Sequence, residues 1–436
     1  MSHLIVISSD AMVGEDLEYF KTKASYQKIF RGGAEITNVS SIYPSVTFPA
    51  HATMITGMYP EHHGVFSNMQ LIPGSDPTPW QWDYDFMQCG DIFRAAKAAG
   101  KSTAAVFWPV TAKNPAIDYH IADYWAQGDG DSNRDAFARS GSCPEVLEII
   151  AKNEHLFLGC EREHPQRDDF GMTCAADIIR KFKPDVLFTH PANIDGVRHS
   201  GGVFGPHLKA AIDDLDRWLC EIWQAVKDAG LADDTDVFLV SDHGQRDVRR
   251  NISLNVLLAE NGFIRLNPDG TIAHWDAYCL SNGMSALVFL RDKEDVSLFE
   301  SVHSFLNELL AQEVYGFSRV YTEEEARAEE HFGGPFSFVL ETDGYTSFGD
   351  YLRRPLVRDL SHEDYRFGTA THGYLPSAGP QPILLAKGPS IRENIVLSGN
   401  HIINEAPTYA KILGADLPGT DGAAILEILK SGLERP

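Results

Sequence analysis

The chain is organised around residues 43–57, whose sequence is YPSVTFPAHATMITG. Pro49 lies where the first turn of a helix tolerates proline, and Met54 and Ile55 further along favour helix. We therefore expect Thr47 near the N-cap, where free backbone N–H groups and the helix dipole favour an anion. A threonine in that place is ordinarily a plain cap, so the interpretation of Thr47 depends on the polar residues of the other loops.

The composition is that of a globular, strongly acidic chain. Its 436 residues, 43% of them hydrophobic, can bury a sizeable core. The formal net charge of −24 argues against binding to nucleic acid polymers or anionic membranes. A small anionic ligand stays compatible with that charge, because bound cations can reverse the local field. No stretch approaches the ~20 apolar residues that span a membrane.

The cysteines and the N-terminal segment both indicate an intracellular protein. The six cysteines are scattered and form no C-x-x-C pair, which predicts reduced thiols rather than a disulfide framework. The apolar run at residues 4–7 lacks a basic region and a cleavage pattern, so it predicts a first strand rather than a signal peptide. We expect a cytoplasmic protein, and the sequence leaves open whether it forms a homodimer.

Strand patterns alternate with helix patterns along most of the chain. This alternation predicts an α/β fold with a doubly wound, mainly parallel sheet flanked by helices. Among the predicted helices is 208–229, which has apolar residues at helical spacing and ends before Gly230. The predicted strands are residues 4–8, 103–107, 185–189, 236–240 and 382–386.

Residues 260–369 differ in sequence pattern from the segments on either side. They combine a β-rich portion, a predicted helix at 296–310 and an acidic run at 323–325. We expect an inserted, smaller cap lobe here, and a catalytic core formed by residues 1–259 and 370–436. Outside the cap, residues 128–142 predict an exposed loop, and residues 423–430 predict a C-terminal helix.

Polar residues follow the predicted strands at or just after their carboxyl ends, where open α/β sheets bind ligands. They are Asp10, Asp195, His199, Asp242 and His243. Aspartate and histidine are zinc ligands, and such sites need a few of them converging from separate loops. Asp195 and His199 stand four residues apart, which lets both reach one ion. The adjacent Asp242 and His243 could serve one ion or two.

The charges favour a two-metal phosphoester hydrolase with Thr47 as nucleophile. Two Zn²⁺ carry four positive charges, which three carboxylates and one alkoxide balance. Direct coordination lowers the pKa of a bound hydroxyl strongly, so Thr47 could be ionised near neutral pH. Asn68 could donate its amide to a phosphoryl oxygen, and Phe48 and Trp108 could form an apolar wall for the leaving group.

As an ordered series, the motifs resemble the alkaline phosphatase superfamily, and within it the nucleotide pyrophosphatase/phosphodiesterase family. The series covers nearly all of the predicted core. The matching pieces are Asp10, TFPAH at 47–51, TG at 56–57, YPE at 59–61, HG at 63–64, Asn68, FWP at 107–109, Asp195 with His199, GP at 205–206, SDHG at 241–244 and THG at 371–373.

The resemblance implies an alkaline-phosphatase-like fold, a specific ligand set and a covalent phosphothreonine intermediate. It places one zinc on Asp195, His199 and His372. It places the other on Asp10, Thr47, Asp242 and His243. It also implies that Asn68 binds a phosphoryl oxygen and that Phe48 packs near the leaving group.

The chain departs from the family pattern around the Asp195 motif. The family usually has an acidic stretch and proline before the aspartate, where this chain has Ala192, Asn193 and Ile194. It usually has glycine before the histidine, where this chain has Arg198. These differences alter the substrate side of the site, so they bear on nucleotide specificity rather than on metal binding.

The predicted activity is hydrolysis of a phosphodiester or pyrophosphate bond in a small, nucleotide-like phosphorylated substrate. The alternatives are a phosphonoacetate hydrolase or a phosphomonoesterase. Either would need extra cationic side chains over the substrate, for which Arg198 and Lys113 are candidates. A phosphomutase and a binding protein with an inactive site are more distant alternatives. Mn²⁺ is an alternative to zinc.

Overall fold

The computed structural model describes residues 3–128, 130–362 and 367–432. Helices and strands are interspersed along the described residues, with runs of consecutive strands at 264–290 and 338–358. The strands are β1 (His3–Ser8), β2 (Ala34–Ile36), β3 (Val39–Ser40), β4 (Thr103–Val106), β5 (Tyr119–Ile121), β6 (Val186–Thr189), β7 (Thr235–Val240), β8 (Arg246–Asp247), β9 (Arg250–Ile252), β10 (Ile264–Leu266), β11 (Ile272–Trp275), β12 (Ala277–Asn282), β13 (Ser285–Leu290), β14 (Phe317–Thr322), β15 (Phe338–Thr342), β16 (Thr346–Phe348), β17 (Val357–Arg358), β18 (Ala370–Thr371), β19 (Leu384–Lys387), β20 (Ile395–Leu397) and β21 (Asn400–His401).

The helices range from single turns to the six-turn helix predicted at 208–229. They are α1 (Leu17–Phe20), α2 (Thr47–Thr56), α3 (Pro60–His63), α4 (Ile92–Ala98), α5 (Asn133–Ser140), α6 (Pro144–Asn153), α7 (Gln166–Phe182), α8 (Asn193–Gly201), α9 (Leu208–Asp228), α10 (Leu254–Glu260), α11 (Val296–Leu310), α12 (Glu323–Glu330) and α13 (Glu405–Leu413). None of these described helices combines the length and apolarity that a bilayer span requires.

An eight-stranded sheet forms the centre of the molecule, in the order β20-β2-β19-β7-β1-β6-β4-β5. Strand β1 is parallel to both of its neighbours, β6 and β7. Strand β19 is antiparallel to β7 and to β2. The sheet is therefore mixed but mainly parallel, and the predicted fold class is confirmed.

Helices cover both faces of this sheet, because its central strands are apolar on both sides. Ile5 and Ile7 of β1 point into one apolar cluster, which includes side chains of α7 and α9. Leu4 and Val6 alternate with them and point into a second cluster, which includes side chains of α2 and α13. The buried sheet therefore fixes where its strands end, and with them the polar loops that follow.

The predicted cap segment builds a separate antiparallel sheet in the order β12-β13-β15-β14. Its apolar residues pack with α11 in a cluster of their own, which also takes in Leu254, Leu257 and Leu258 of α10. The division into a core of residues 1–259 and 370–436 and a cap of residues 260–369 stays a prediction. Residues 1, 2, 363–366 and 433–436, which this division assigns to the core or the cap, lie outside the described part of the chain.

The exposed loop predicted at 128–142 is wrong over its second half, which forms helix α5. The side chain of Ser132 caps this helix by accepting a hydrogen bond from the backbone N–H of Asp135 at 3.1 Å. Ala136 and Phe137 are fully buried. The polar composition of residues 128–142 gave no indication that these two residues belong to the core. Asp129 of the predicted loop lies outside the described residues.

The C-terminal helix predicted at 423–430 is also wrong. The segment contains only a short 3₁₀ turn, Leu426–Ile428. Its backbone pairs with an earlier segment instead: Arg392 N–H donates to Ile428 O at 2.8 Å, and Lys430 N–H donates to Ser390 O at 2.9 Å. Tertiary pairing overrides the helical preference of this sequence.

Candidate metal centre and active site

The candidate site lies beyond the carboxyl ends of the central strands, as the sequence predicts. Asp10 follows β1, Asp242 and His243 follow β7, and Asp195 lies on helix α8 after β6. Because β1 lies between β6 and β7 in a parallel arrangement, these three loops meet at one edge of the sheet.

Thr47 is the first residue of helix α2, and Val46 is the N-cap with extended backbone angles (φ −127°, ψ 141°). The threonine is 7% exposed. Its hydroxyl Oγ1 lies 3.1 Å from Nε2 of His243. The hydroxyl therefore contacts a candidate metal ligand, which a plain cap would not require.

The ligand-type side chains form two overlapping groups, in each of which one donor atom per residue lies within 4.8 Å of the others. The groups are Asp195, His243 and His372, and Asp10, Asp242 and His243. His199 adjoins the first group, with its Nε2 3.3 Å from Oδ2 of Asp195. The structure thus brings all the predicted ligands together, with His243 common to both groups.

Two of the histidines have a defined tautomer. Nδ1 of His199 is hydrogen-bonded to the carbonyl oxygen of Ala370 at 2.8 Å, and Nδ1 of His243 to that of Gly244 at 3.2 Å. A carbonyl oxygen only accepts hydrogen bonds, so each Nδ1 carries a proton. Nε2 is then the atom that faces the carboxylates, and it is the nitrogen that can bind a metal once it carries no proton.

Three carboxylates share this small volume, and their pKa values reflect it. Burial, with the neighbouring Asp242, raises the pKa of Asp10 well above its usual range. Burial also raises the pKa of Asp242, to about 6. Burial opposes ionisation of Asp195 as well, but His199 beside it holds the pKa of Asp195 below its usual value. Burial lowers the pKa of His243 to about 4, so this imidazole is neutral at pH 7.

The donor set fits divalent cations. Among the described residues, the buried atoms Oδ1 of Asp10, Oδ2 of Asp242 and Nδ1 of His372 have no hydrogen-bond partner. Buried polar atoms are normally satisfied, and buried carboxylates are normally paired or bound to metal. Carboxylate oxygens and neutral imidazole nitrogens in such overlapping groups are the ligands that zinc takes.

A family model described as type I phosphodiesterase / nucleotide pyrophosphatase matches residues 4–374. The chain belongs to this family. The resemblance drawn from the motifs is thereby confirmed, and the motifs quoted for it all lie within the matched residues.

The curated relatives are distant in sequence. The chain is 21% identical over 443 residues to an ectonucleotide pyrophosphatase/phosphodiesterase of Caenorhabditis elegans, covering 99% of this chain and 49% of the relative. It is 23% identical over 274 residues to an uncharacterized pyrophosphatase/phosphodiesterase of Schizosaccharomyces pombe, covering 60% of this chain and 47% of the relative. The chain spans about half the length of these relatives.

Solved structures share the fold. Murine ectonucleotide pyrophosphatase/phosphodiesterase 5 matches with a TM-score of 0.68 and 18% identity, covering 99% of this chain and 100% of that one. That structure is of an inactive threonine-to-alanine variant in complex with AMP. The match supports the alkaline-phosphatase-like fold predicted from the sequence.

Asn68 has a fixed orientation at the start of helix α2, which carries Thr47. Its side-chain oxygen Oδ1 accepts a hydrogen bond from the backbone N–H of Phe48 at 2.8 Å, so its NH₂ group is the end left for other partners. A residue of the predicted cap holds this loop: Ser67 Oγ donates to Oδ1 of Asn282 at 2.7 Å, and Nδ2 of Asn282 donates to Phe66 O at 3.0 Å.

The apolar wall of Phe48 and Trp108 for the leaving group stays a prediction, and both side chains are buried. Phe48 is 1% exposed and packs against Trp80, with 5.1 Å between ring centroids. Trp108 is 0% exposed and packs on Phe188 at 4.9 Å. Trp108 therefore belongs to the core, and the partly exposed ring on this side is that of Trp80.

Two further histidines that sequence reasoning did not assign lie directly behind the site. His190 Nε2 is 3.0 Å from Oδ2 of Asp10. The rings of His51 and His190 are 4.2 Å apart, and His51 is hydrogen-bonded through Nδ1 to the carbonyl oxygen of Thr47 at 2.8 Å. The four-residue spacing of Thr47 and His51 in a predicted helix could have indicated this contact.

The two cations considered for substrate binding already have partners. Arg198 is fully buried and donates to Oδ2 of Asp16 at 2.5 Å and to Val203 O at 2.6 Å. Lys113 is half-exposed, and its Nζ is 2.7 Å from Oδ2 of Asp83. Neither residue is placed as the sequence-based alternatives would require.

We expect Arg198→Met to lower the free energy of unfolding by about 3–5 kcal/mol, because it leaves Asp16 charged and buried without its cation. Adding Asp16→Asn, which still accepts from Val13, should recover most of that loss. Urea denaturation measures both effects. Lys113→Met is the control and should cost under about 1 kcal/mol. If Arg198→Met instead leaves stability intact and raises KM, the arginine binds substrate.

Proposed function

We propose that this chain is a metal-dependent hydrolase that cleaves phosphodiester or pyrophosphate bonds in a small, nucleotide-like substrate. The proposal rests on the position of Thr47: its hydroxyl lies at the start of a helix and within 3.1 Å of the imidazole that two Asp/His groups share. A nucleophile next to such a ligand set is the arrangement that two-metal phosphoryl transfer requires.

Zinc is the ion we propose, with Mn²⁺ as the alternative. Asp195, His199 and His372 would hold one ion. Asp10, Thr47, Asp242 and His243 would hold the other. When bound, these ions would lower the pKa of the attacking hydroxyl and stabilise negative charge on the phosphoryl and leaving oxygens.

The residues of the chain then carry out a double displacement. Thr47 releases its hydroxyl proton to solvent, Oγ1 attacks phosphorus, and the leaving oxygen takes up a proton from solvent as it departs. The bond from Oγ1 to phosphorus forms as the bond to the leaving oxygen breaks, which gives a phosphothreonine. Water cleaves that ester in the second step and restores the hydroxyl. The NH₂ group of Asn68, oriented by Phe48 N–H, donates to a phosphoryl oxygen throughout.

The substrate class is supported by charge and by the named relatives. The relatives are named pyrophosphatases/phosphodiesterases, and the structurally similar murine protein binds AMP as its inactive variant. The net charge of −24 opposes a nucleic acid polymer as substrate. A small nucleotide derivative fits both observations.

A substrate panel distinguishes this function from its alternatives. Because Arg198 and Lys113 already have carboxylate partners, we expect bis-p-nitrophenyl phosphate to be cleaved faster than p-nitrophenyl phosphate or phosphonoacetate. Initial rates on metal-loaded enzyme give the comparison. Preference for the monoester or for phosphonoacetate would replace the proposal with that alternative. Phosphoryl return without release to water would indicate a phosphomutase.

Thr47→Ala should abolish turnover, by about 10⁴-fold or more, because it removes the nucleophile. The metal content should stay near two ions per chain, since the Asp and His ligands are unchanged. Thr56→Ala is the matched control. Its hydroxyl is buried in the same helix and is hydrogen-bonded to Ala52 O and Met58 N–H, away from the candidate ligands. Full activity in Thr47→Ala would refute the mechanism.

Removal of metal by chelation should stop activity, and added zinc should restore it, because three clustered carboxylates need counter-charge to hold the site together. Metal analysis alongside initial rates provides the measurement. An enzyme that stays fully active after its metal content has fallen to zero would contradict the proposal.

A further inference from the structure

The side chain of Gln245 is fully buried, and within the described parts of the chain it is hydrogen-bonded to a single residue, the candidate ligand Asp195. It lies two residues after His243, in the loop that follows β7. Its Nε2 donates to the carboxylate Oδ1 of Asp195 at 2.5 Å and to the backbone oxygen of Asp195 at 3.1 Å. The two donor positions of the amide are thus both directed to one residue.

The orientation of this amide follows from the contact. A carboxylate only accepts hydrogen bonds, so the NH₂ end must face Asp195 and the carbonyl end must point away. Among the described residues, Oε1 of Gln245 has no hydrogen-bond partner. The amide therefore keeps its bond to Asp195 while its other polar atom is buried and unpaired.

We propose that Gln245 is a positioning residue that selects which oxygen of Asp195 faces the metal. This inference rests on the ligand assignment of the proposed function. The amide engages Oδ1, while the other oxygen, Oδ2, lies 3.3 Å from Nε2 of His199. With Oδ1 engaged, the carboxylate is held for coordination through Oδ2, on the side of His199.

A neutral donor suits this role. Partners that hydrogen-bond a metal ligand fix its rotation, and they tune the ion through that ligand. An amide does so without cancelling the negative charge of the carboxylate, whereas a lysine or arginine would compete with the metal for it.

Gln245 also joins separate parts of the site. It links helix α8, which carries Asp195, to the loop that carries Asp242 and His243. Directly after it, β8 pairs with β18, the strand that immediately precedes His372. The hydrogen bond to Asp195 therefore ties α8 to the loop after β7, which supplies Asp242 and His243, and through the β8–β18 pairing to the segment that supplies His372.

The test is metal affinity rather than turnover. Gln245→Met keeps the volume of the side chain and removes the donor. We expect the binding of one of the two ions to weaken by about 10–100-fold and the other to change little. Competition against a chromogenic chelator measures both binding steps. The visible spectrum of the Co²⁺-loaded protein should also shift, because the geometry at the Asp195 ion changes.

Three more variants complete the design. Gln81→Met is the matched control: Gln81 is also buried, donates to Met69 O at 2.9 Å and has an unpaired Oε1, and its loss should leave both affinities unchanged. Gln245→Asn withdraws the amide by one methylene and should weaken the same ion. It keeps the test available if Gln245→Met does not fold. Asp195→Asn removes the ligand charge itself and should weaken that ion most.

The outcomes separate the inference from the proposed function. If Asp195→Asn weakens one ion and both Gln245 variants bind metal like the wild type, the positioning role is overturned and the ligand assignment stands. If Asp195→Asn changes neither binding step, the ligand assignment fails and the inference fails with it. If Gln81→Met weakens metal binding as much as Gln245→Met does, a specific role of Gln245 is refuted.

Discussion

The convergence of Asp10, Asp195 and Asp242 at one edge of the sheet is the constraint on which the rest of this structure depends. Carboxylates this close, two of them fully enclosed, repel one another and have lost most of their hydration. Burial and this repulsion are the reason that the pKa values of Asp10 and Asp242 are raised. The His243 imidazole, neutral at pH 7, and the Thr47 hydroxyl add ligand atoms without adding positive charge, so a bound cation would offset the charge of the carboxylates.

The fold supports this cluster by fixing backbone ends rather than by flexible side chains. The parallel strands β1, β6 and β7 end at one edge of the sheet, so the segments that follow them, which carry the aspartates, meet there. The buried side chains of these strands alternate between the two apolar clusters on the faces of the sheet. The N-terminus of α2 adds Thr47 from the side, with the dipole favouring negative charge. Each element contributes one or two ligands, so the site is assembled from several separate segments of the chain.

The sequence predicted what depends on local pattern. The strand periodicity located Asp10, Asp195, Asp242 and His243, because residues that closely follow a buried strand lie at the edge of the sheet, however the rest of the chain packs. It did not predict what depends on distant packing. Trp108 is buried because Phe188 lies beneath it, and Gln245 meets Asp195 fifty positions away in the chain. No short window of sequence contains such contacts.

The hairpin β12–β13 shows why the predicted cap cannot be treated as a cover over a finished site. Met284 N–H donates to His372 O at 2.8 Å, and Gly373 next to it has a φ of +97°. A Cβ on that glycine would lie 1.8 Å from Asn282 O, so the hairpin and the His372 loop touch backbone to backbone. Asn282 also holds the Asn68 loop through Phe66 and Ser67. The hairpin thus supports a candidate metal ligand and a candidate phosphoryl donor together, and movement of one would displace the other.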